Sequence, residues 1–351
     1  TEQHKEAQDS KNVKTYRVAR DLYRRYLGAF PDSNDSYQFR FFLAEILYEL
    51  KEFKDAAAEY SIIAKKEGGK FRKDAAYSTI LSWQKVYTAE ITGVIEKVGE
   101  KIVEGKRGKS KGALKKLQKI EVVREGKTYE REELTPTEVE LATACDYFVE
   151  VAPEDEGVVK VKFQSAQLYY KHNQFDEASV RFGEIIERWP DDELGRTAAD
   201  LVVRSYNVRK DWKQLNHYAR KFRENKKLMG DKKFAKDIQE YVEGASFQEI
   251  VTIFEKQESK EEVAKRWVAY AEEFPKTKFS MLAVFNSIGK YRDINKLEAV
   301  MKYSKVILKD YKGFKLTKEE IKKSQDPSKL REITMYSLAK TYESLAEFEK
   351  A

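Results

Sequence analysis

The sequence predicts an all-α fold made of repeated helical hairpins, and three observations carry the prediction. Gly (16) and Pro (6) are few among 351 residues, while charged residues make up 36%. That balance suits helices with a large solvated surface, because helix interiors disfavour both Gly and Pro. Aromatic side chains are plentiful, with 21 Tyr and 19 Phe, so the chain has the means to build packed cores. The third observation is a recurring stretch: FFLAEILYELKEFKDAAAEYSIIAKK (41–66) superimposes on FQSAQLYYKHNQFDEASVRFGEIIERWP (163–190) when Ala44 is set on Ala166. Leu47 then falls on Tyr169, Phe53 on Phe175, Ala56 on Ala178, Tyr60 on Phe182 and Ile63 on Ile185.

Within each copy the apolar residues recur at helical spacing, and a short polar turn (49–52, 171–174) separates two halves. Each copy is therefore an antiparallel helical hairpin. Small Ala at the crossing points lets the two helices approach closely, and the aromatic four residues after the second Ala fills space against the next hairpin. Phe-Pro-Asp-Ser (30–33), Trp-Pro-Asp-Asp (189–192) and Phe-Pro-Lys-Thr (274–277) each end a helix. Pro stops the helix, and Asp, Ser or Thr stands ready to cap the next one.

This pattern resembles the tetratricopeptide repeat, a hairpin unit of about 34 residues. Ala166, Ala178, Phe182 and Pro190 match its signature position for position, as do Ala7, Ala19, Tyr23 and Pro31 near the start. Ala339, Tyr342, Phe348 and Ala351 match the first part of one more repeat. Around 283–311 the fitting residues are Ala299, Tyr303 and Val306, and around 196–222 the second helix finds no register. About eight hairpins are expected. The resemblance implies a right-handed superhelical solenoid whose concave surface is lined by first helices. Carried over residue by residue, that surface consists of Phe41, Glu45, Tyr48 and Glu49 in one hairpin, and Phe163, Gln167, Tyr170 and Lys171 in another. Tyr48 and Tyr170 share one repeat position, so an aromatic line is expected. The set lacks the Lys/Asn pattern with which chaperone-associated relatives clamp a carboxylate. The Pro-ended helices also resemble those of bacterial cell-envelope repeat proteins of the outer-membrane-assembly and Tol–Pal accessory type, which implies a periplasmic scaffold.

The expected organisation is hairpins over 1–92, an insertion over 93–136, and further hairpins over 137–351. The helix at 73–92 reads as a first helix and 137–151 as its second, with Ala144 and Phe148 as packing positions. Glycines at 93, 99, 105, 108 and 112 punctuate the insertion. Its end, KIEVVREGKTYERE, alternates apolar and polar residues and is expected to form a β-hairpin. The chain stops at Ala351, where a second helix is expected to begin, so a longer native chain is expected.

The formal charge is +7, and residues 106–119 contribute +7 alone, so the other residues sum to zero (7 − 7 = 0). The positive charge is thus expected in one segment, at Lys106, Arg107, Lys109, Lys111, Lys115, Lys116 and Lys119. Gly-Lys-Ser at 108–110 is not a phosphate-binding loop, because Val103 stands where that loop needs Gly and a helical repeat precedes it. The segment contains no aromatic residue to stack on bases. A solvated loop, or a contact with an acidic protein or anionic polymer, is expected before nucleic acid.

No metal-ligand spacing, calcium loop or cofactor motif is present in the sequence, so no cofactor is expected. His4, His172 and His217 are scattered, with His172 in the turn of the best repeat. Cys145 and Trp83, Trp189, Trp212 and Trp267 read as packing residues. No apolar run reaches the length of a membrane span. The expected function is a non-enzymatic scaffold for other proteins. The alternatives are polyanion binding through 106–119, or the regulatory part of an enzyme whose chemistry lies beyond Ala351.

Overall fold

A computed structural model describes residues 2–93 and 129–345, and these are all-helical. Sixteen helices pack mostly on their sequence neighbours. They fall into two compact units, Thr1–Ser205 and Tyr206–Ala351. The first unit holds α1 (Glu2–Ser10), α2 (Val13–Ala29), α3 (Ser36–Glu49), α4 (Phe53–Ala64), α5 (Arg72–Thr92), α6 (Pro136–Val151), α7 (Val158–Lys171), α8 (Phe175–Arg188) and most of α9 (Glu193–Arg209). The second holds the end of α9, then α10 (Trp212–Glu224), α11 (Lys232–Glu249), α12 (Lys260–Glu273), α13 (Ser280–Asp293), α14 (Leu297–Asp310), α15 (Lys318–Lys323) and α16 (Pro327–Ser344). A wider, π-type turn at Ile250–Phe254 carries α11 on to Gln257.

Two kinds of junction recur. The first sits inside a hairpin, where Lys51, Asn173, Lys210 and Asn295 adopt left-handed φ angles of 64°, 58°, 57° and 57°. In each case the next residue donates its N–H to a carbonyl five positions back: Glu52 to Leu47 (2.9 Å), Gln174 to Tyr169 (3.0 Å), Asp211 to Tyr206 (3.0 Å) and Lys296 to Tyr291 (2.9 Å). This closes the helix end and turns the chain. Asn tolerates the conformation, whereas each Lys carries roughly 1 kcal/mol of strain there.

The left-handed residue sets a common register. Seven residues before it lie Ala44, Ala166, Val203 and Ile288; five after it lie Ala56, Ala178, Leu215 and Val300; nine after it lie Tyr60, Phe182, Ala219 and Ser304. All are buried. Where the third position is large, the first two are Ala. In α13 and α14 the sizes are exchanged, with the small Ser304 at the third position and the larger Ile288 and Val300 at the first two. Close packing conserves volume rather than residue identity. This corrects the register expected from Ala299, Tyr303 and Val306. Those three are half-buried, and their successors Val300, Ser304 and Ile307 are buried. It also supplies the register that 196–222 lacked.

The second junction links hairpins. Phe30, Ala152, Trp189 and Phe274 each precede Pro, with φ of −134°, −138°, −131° and −119° and ψ of 62°, 59°, 55° and 62°. Clash with the Pro ring disfavours helical geometry at these residues and ends each helix. Seven residues before these caps lie Tyr23, Cys145, Phe182 and Trp267, all buried. Cys145 therefore occupies the aromatic's place in α6, where Phe148 was expected, while Ala144 and Phe148 are both buried as packing residues. The expected caps are also corrected. Asp192 accepts the Leu194 N–H (2.7 Å), but Ser33 bonds Tyr26 and Ser36, and Thr277 donates to the Phe274 carbonyl (3.2 Å).

In the second unit Glu243 is buried on α11, and its Oε1 has no hydrogen-bond partner among the described residues. Burial pushes its carboxyl above 4.5, an effect that the Thr277 hydroxyl and Lys278 oppose and that Glu240 and Glu320 reinforce. The unfolded chain then releases this proton at lower pH than the folded one. Stability is lost as pH rises from about 4.5 through the raised folded value. We expect Glu243→Gln to raise the melting temperature at pH 8 and leave it unchanged near pH 4. A mutant-minus-wild-type difference that is flat across this range would remove the buried carboxylate as its source.

Candidate functional site

The first helices α3, α5 and α7 start at Ser36, Arg72 and Val158, so equal offsets from these residues compare equivalent positions. Eight residues on, Ala44, Ile80 and Ala166 are buried. Nine and thirteen residues on lie Glu45 and Glu49, Leu81 and Lys85, and Gln167 and Lys171. Cross-links hold the three helices side by side. Gln84 Nε2 donates to Gln164 Oε1 (2.7 Å), and Lys171 Nζ donates to Tyr87 Oη (2.8 Å) while lying 5.3 Å from that ring. Lys51 and Lys85 both lie 5.8 Å from the Phe53 ring, which Tyr48 meets edge-on at 5.2 Å. The resulting face is acidic on α3 and carries Lys85, Gln167 and Lys171 on α5 and α7.

The expected site residues divide on this face. Glu45, Tyr48, Glu49 and Gln167 are half-buried and Lys171 is exposed. Glu45 accepts the Tyr60 hydroxyl, and Phe41 stacks on Phe71 at 4.2 Å. Phe163 and Tyr170, only 1% and 4% exposed, pack on Phe182 at 5.2 and 6.1 Å. An exposed aromatic line from Tyr48 to Tyr170 is thus overturned. A ring at this offset turns outward or inward according to the space its neighbouring hairpin leaves. Tyr77, five residues into α5, holds the position of Phe41 and Phe163 and was not picked out from sequence, because that helix was expected to begin at 73. Its start at Arg72 after the Phe71 cap is the signal that places it. Tyr77 is buried, and burial with Asp155 and Tyr48 nearby pushes its hydroxyl up to about 12.

Residues 106–119, with Lys106, Arg107, Lys109, Lys111, Lys115, Lys116 and Lys119, lie outside the described residues, as does most of the expected β-hairpin. Residues 129–132 form no strand. The described flanks of the insertion are anchored. The first helix ends at Gly93, whose φ of 66° suits Gly. Thr137 Oγ1 donates to Glu90 Oε1 (2.8 Å), joining the start of α6 to the end of α5. The returning strand of chain crosses the α7–α8 turn: Glu132 N–H donates to the His172 carbonyl (3.0 Å), Asn173 Nδ2 to the Glu130 carbonyl (2.7 Å) and Arg131 to Glu177 (2.7 Å). His172 bonds the buried Glu138 (2.9 Å). Burial works against the Glu138 carboxylate, but hydrogen bonds from His172 and Thr135 outweigh it and hold the carboxyl below 4.5.

Burial also pushes the Cys145 thiol up, so it is no thiolate nucleophile near neutral pH. Among the described residues no cluster of His, Cys, Asp and Glu is placed to hold a metal ion, and no helix is long and apolar enough to cross a membrane. Trp267 is buried, whereas Trp83, Trp189 and Trp212 are half-buried. Over its described residues the chain is an all-helical protein whose helices pack on their sequence neighbours. No family model and no curated protein sequence matches it.

Proposed function

We propose that this chain is a non-catalytic adaptor of the tetratricopeptide type that holds a segment of another protein along the first-helix face of its first unit. The observation that carries the reading is the placement of Glu45, Glu49, Lys85, Gln167 and Lys171 at the same two offsets of the three first helices α3, α5 and α7, the sixth position being the buried Leu81. Side chains repeated in this way offer evenly spaced charge and hydrogen-bond contacts to an extended or helical partner. A photo-crosslinking residue at Gln167 is expected to capture a partner polypeptide that the same residue at Val180, exposed on α8, does not. Glu49→Lys combined with Lys171→Glu is expected to reduce that capture severalfold. Equal capture at both positions, insensitive to the double substitution, would exclude this face.

A further inference from the structure

A second basic stretch lies in the second unit, so the expectation of one basic segment in an otherwise neutral protein is incomplete. Residues 213–236 hold nine lysines and arginines against Glu224 and Asp231, a balance of +7 (9 − 2 = 7). The structure sets two of these cations apart from three others. Arg220 donates to both oxygens of Glu273 (2.7 and 2.8 Å), to Asn216 (2.9 Å) and to Ser246 (3.0 Å), and Arg223 donates to Glu273 (3.1 Å). These two tie α10 to α11 and α12. Lys226, Lys232 and Lys233 are exposed on the link from α10 and in the first turn of α11.

That link is ordered rather than a loose tail. Leu228 is buried, and Asn225 Oδ1 accepts the N–H groups of Lys227 (3.1 Å) and Leu228 (3.2 Å). The Asp231 carboxylate caps α11 by accepting the Phe234 N–H (2.8 Å). The first turn of α11 carries two lysines and no acid, an arrangement the helix dipole disfavours. The Asp231 cap answers the dipole, but the three lysine ammoniums around it are like charges on a fixed edge, for which the fold shows no use. A local conflict of this kind points to a role outside the fold.

We propose that this lysine edge docks an acidic polypeptide segment through charge. The chemistry separates that partner from other polyanions. Arg, the side chain suited to bidentate phosphate recognition, is turned onto Glu273 here. No large apolar residue of 213–236 is among the exposed ones, so the edge presents no apolar anchor for a membrane, and its one exposed ring is the small His217 imidazole on α10, away from the lysines in sequence. Hydrated lysine ammoniums need only opposite charge, and their attraction falls with salt.

The test uses the full chain with the seven cations of 106–119 changed to Gln, so that only the second unit's edge is read. Binding of a labelled oligoglutamate peptide is followed by fluorescence anisotropy at low and at physiological salt. Adding Lys226→Gln, Lys232→Gln and Lys233→Gln is expected to weaken binding about tenfold at low salt and to flatten its salt dependence. The melting temperature should not fall, since all three side chains are exposed and two of them stand against the α11 dipole. Equal affinity with and without the three substitutions overturns the proposal. It is also overturned if a DNA duplex or phosphatidylserine vesicles bind more tightly than the peptide and lose that binding on the same substitutions.

Discussion

Trp267→Ala will destabilise the second unit by about 4 kcal/mol, the range for deleting a large aromatic from a packed core. Trp267 is fully buried and stands seven residues before the Phe274 cap, where other hairpins hold Tyr23, Cys145 and Phe182. Its ring lies 4.8 Å from Phe247 on α11, and Phe247 stacks on Phe279 before α13 at 4.6 Å. One side chain thus supports contacts among three helices. Its Nε1 also donates to Glu255 Oε1 (3.4 Å), leaving that carboxylate without this donor once the ring is gone. Trp267→Phe keeps much of the apolar volume and should lose roughly half as much. Urea unfolding, read by amide exchange on α12, measures both. A Trp267→Ala loss below about 1 kcal/mol would mean that the neighbouring helices collapse onto the site, contrary to a rigid three-helix core.

Gly195→Ala and Gly183→Ala will change stability in opposite directions. A Cβ on Gly195 would stand 2.1 Å from the Trp189 carbonyl oxygen, 3.1 Å from its carbon and 3.4 Å from the Pro190 Cα. All three are backbone atoms, so either the Pro-containing link shifts or the first turn of α9 unwinds. We expect a loss of about 3 kcal/mol, in the range of strained or overpacked sites. Gly183 lies inside α8, and a Cβ there meets nothing within 4 Å. Ala at that position restricts the unfolded chain and favours helix, for a gain of about 0.5–1 kcal/mol. Thermal denaturation of the two variants decides the matter; shifts of the same sign would contradict the tight link.

The two hairpins with Ala at the crossing points, α3–α4 and α7–α8, were legible because residue size and helical spacing agreed. The hairpin α13–α14 was misread by one residue, since Ser304 takes the place of an aromatic and Ile288 and Val300 take the places of Ala. The fourth Pro link, at Ala152, went unseen because no aromatic residue marks it. Of the partner-facing set, Glu45, Tyr48, Glu49, Gln167 and Lys171 remain at the surface, whereas Phe163 and Tyr170 belong to the core. The lysine edge at 226–233 was hidden in a charge sum, because summation along the chain says nothing of which cations are tied to Glu273.

By itself the sequence determined the local features of this protein. Helical period, the Pro-ended helices at Phe30, Trp189 and Phe274, and the polar turns depend only on contiguous residues and their backbone preferences. Tertiary structure alone decided which of two adjacent residues enters the core, which aromatic rings face outward, and why Gly stands at 195. Those outcomes depend on the volume left by the neighbouring helix and on backbone atoms brought close by folding. A hairpin read in isolation contains neither.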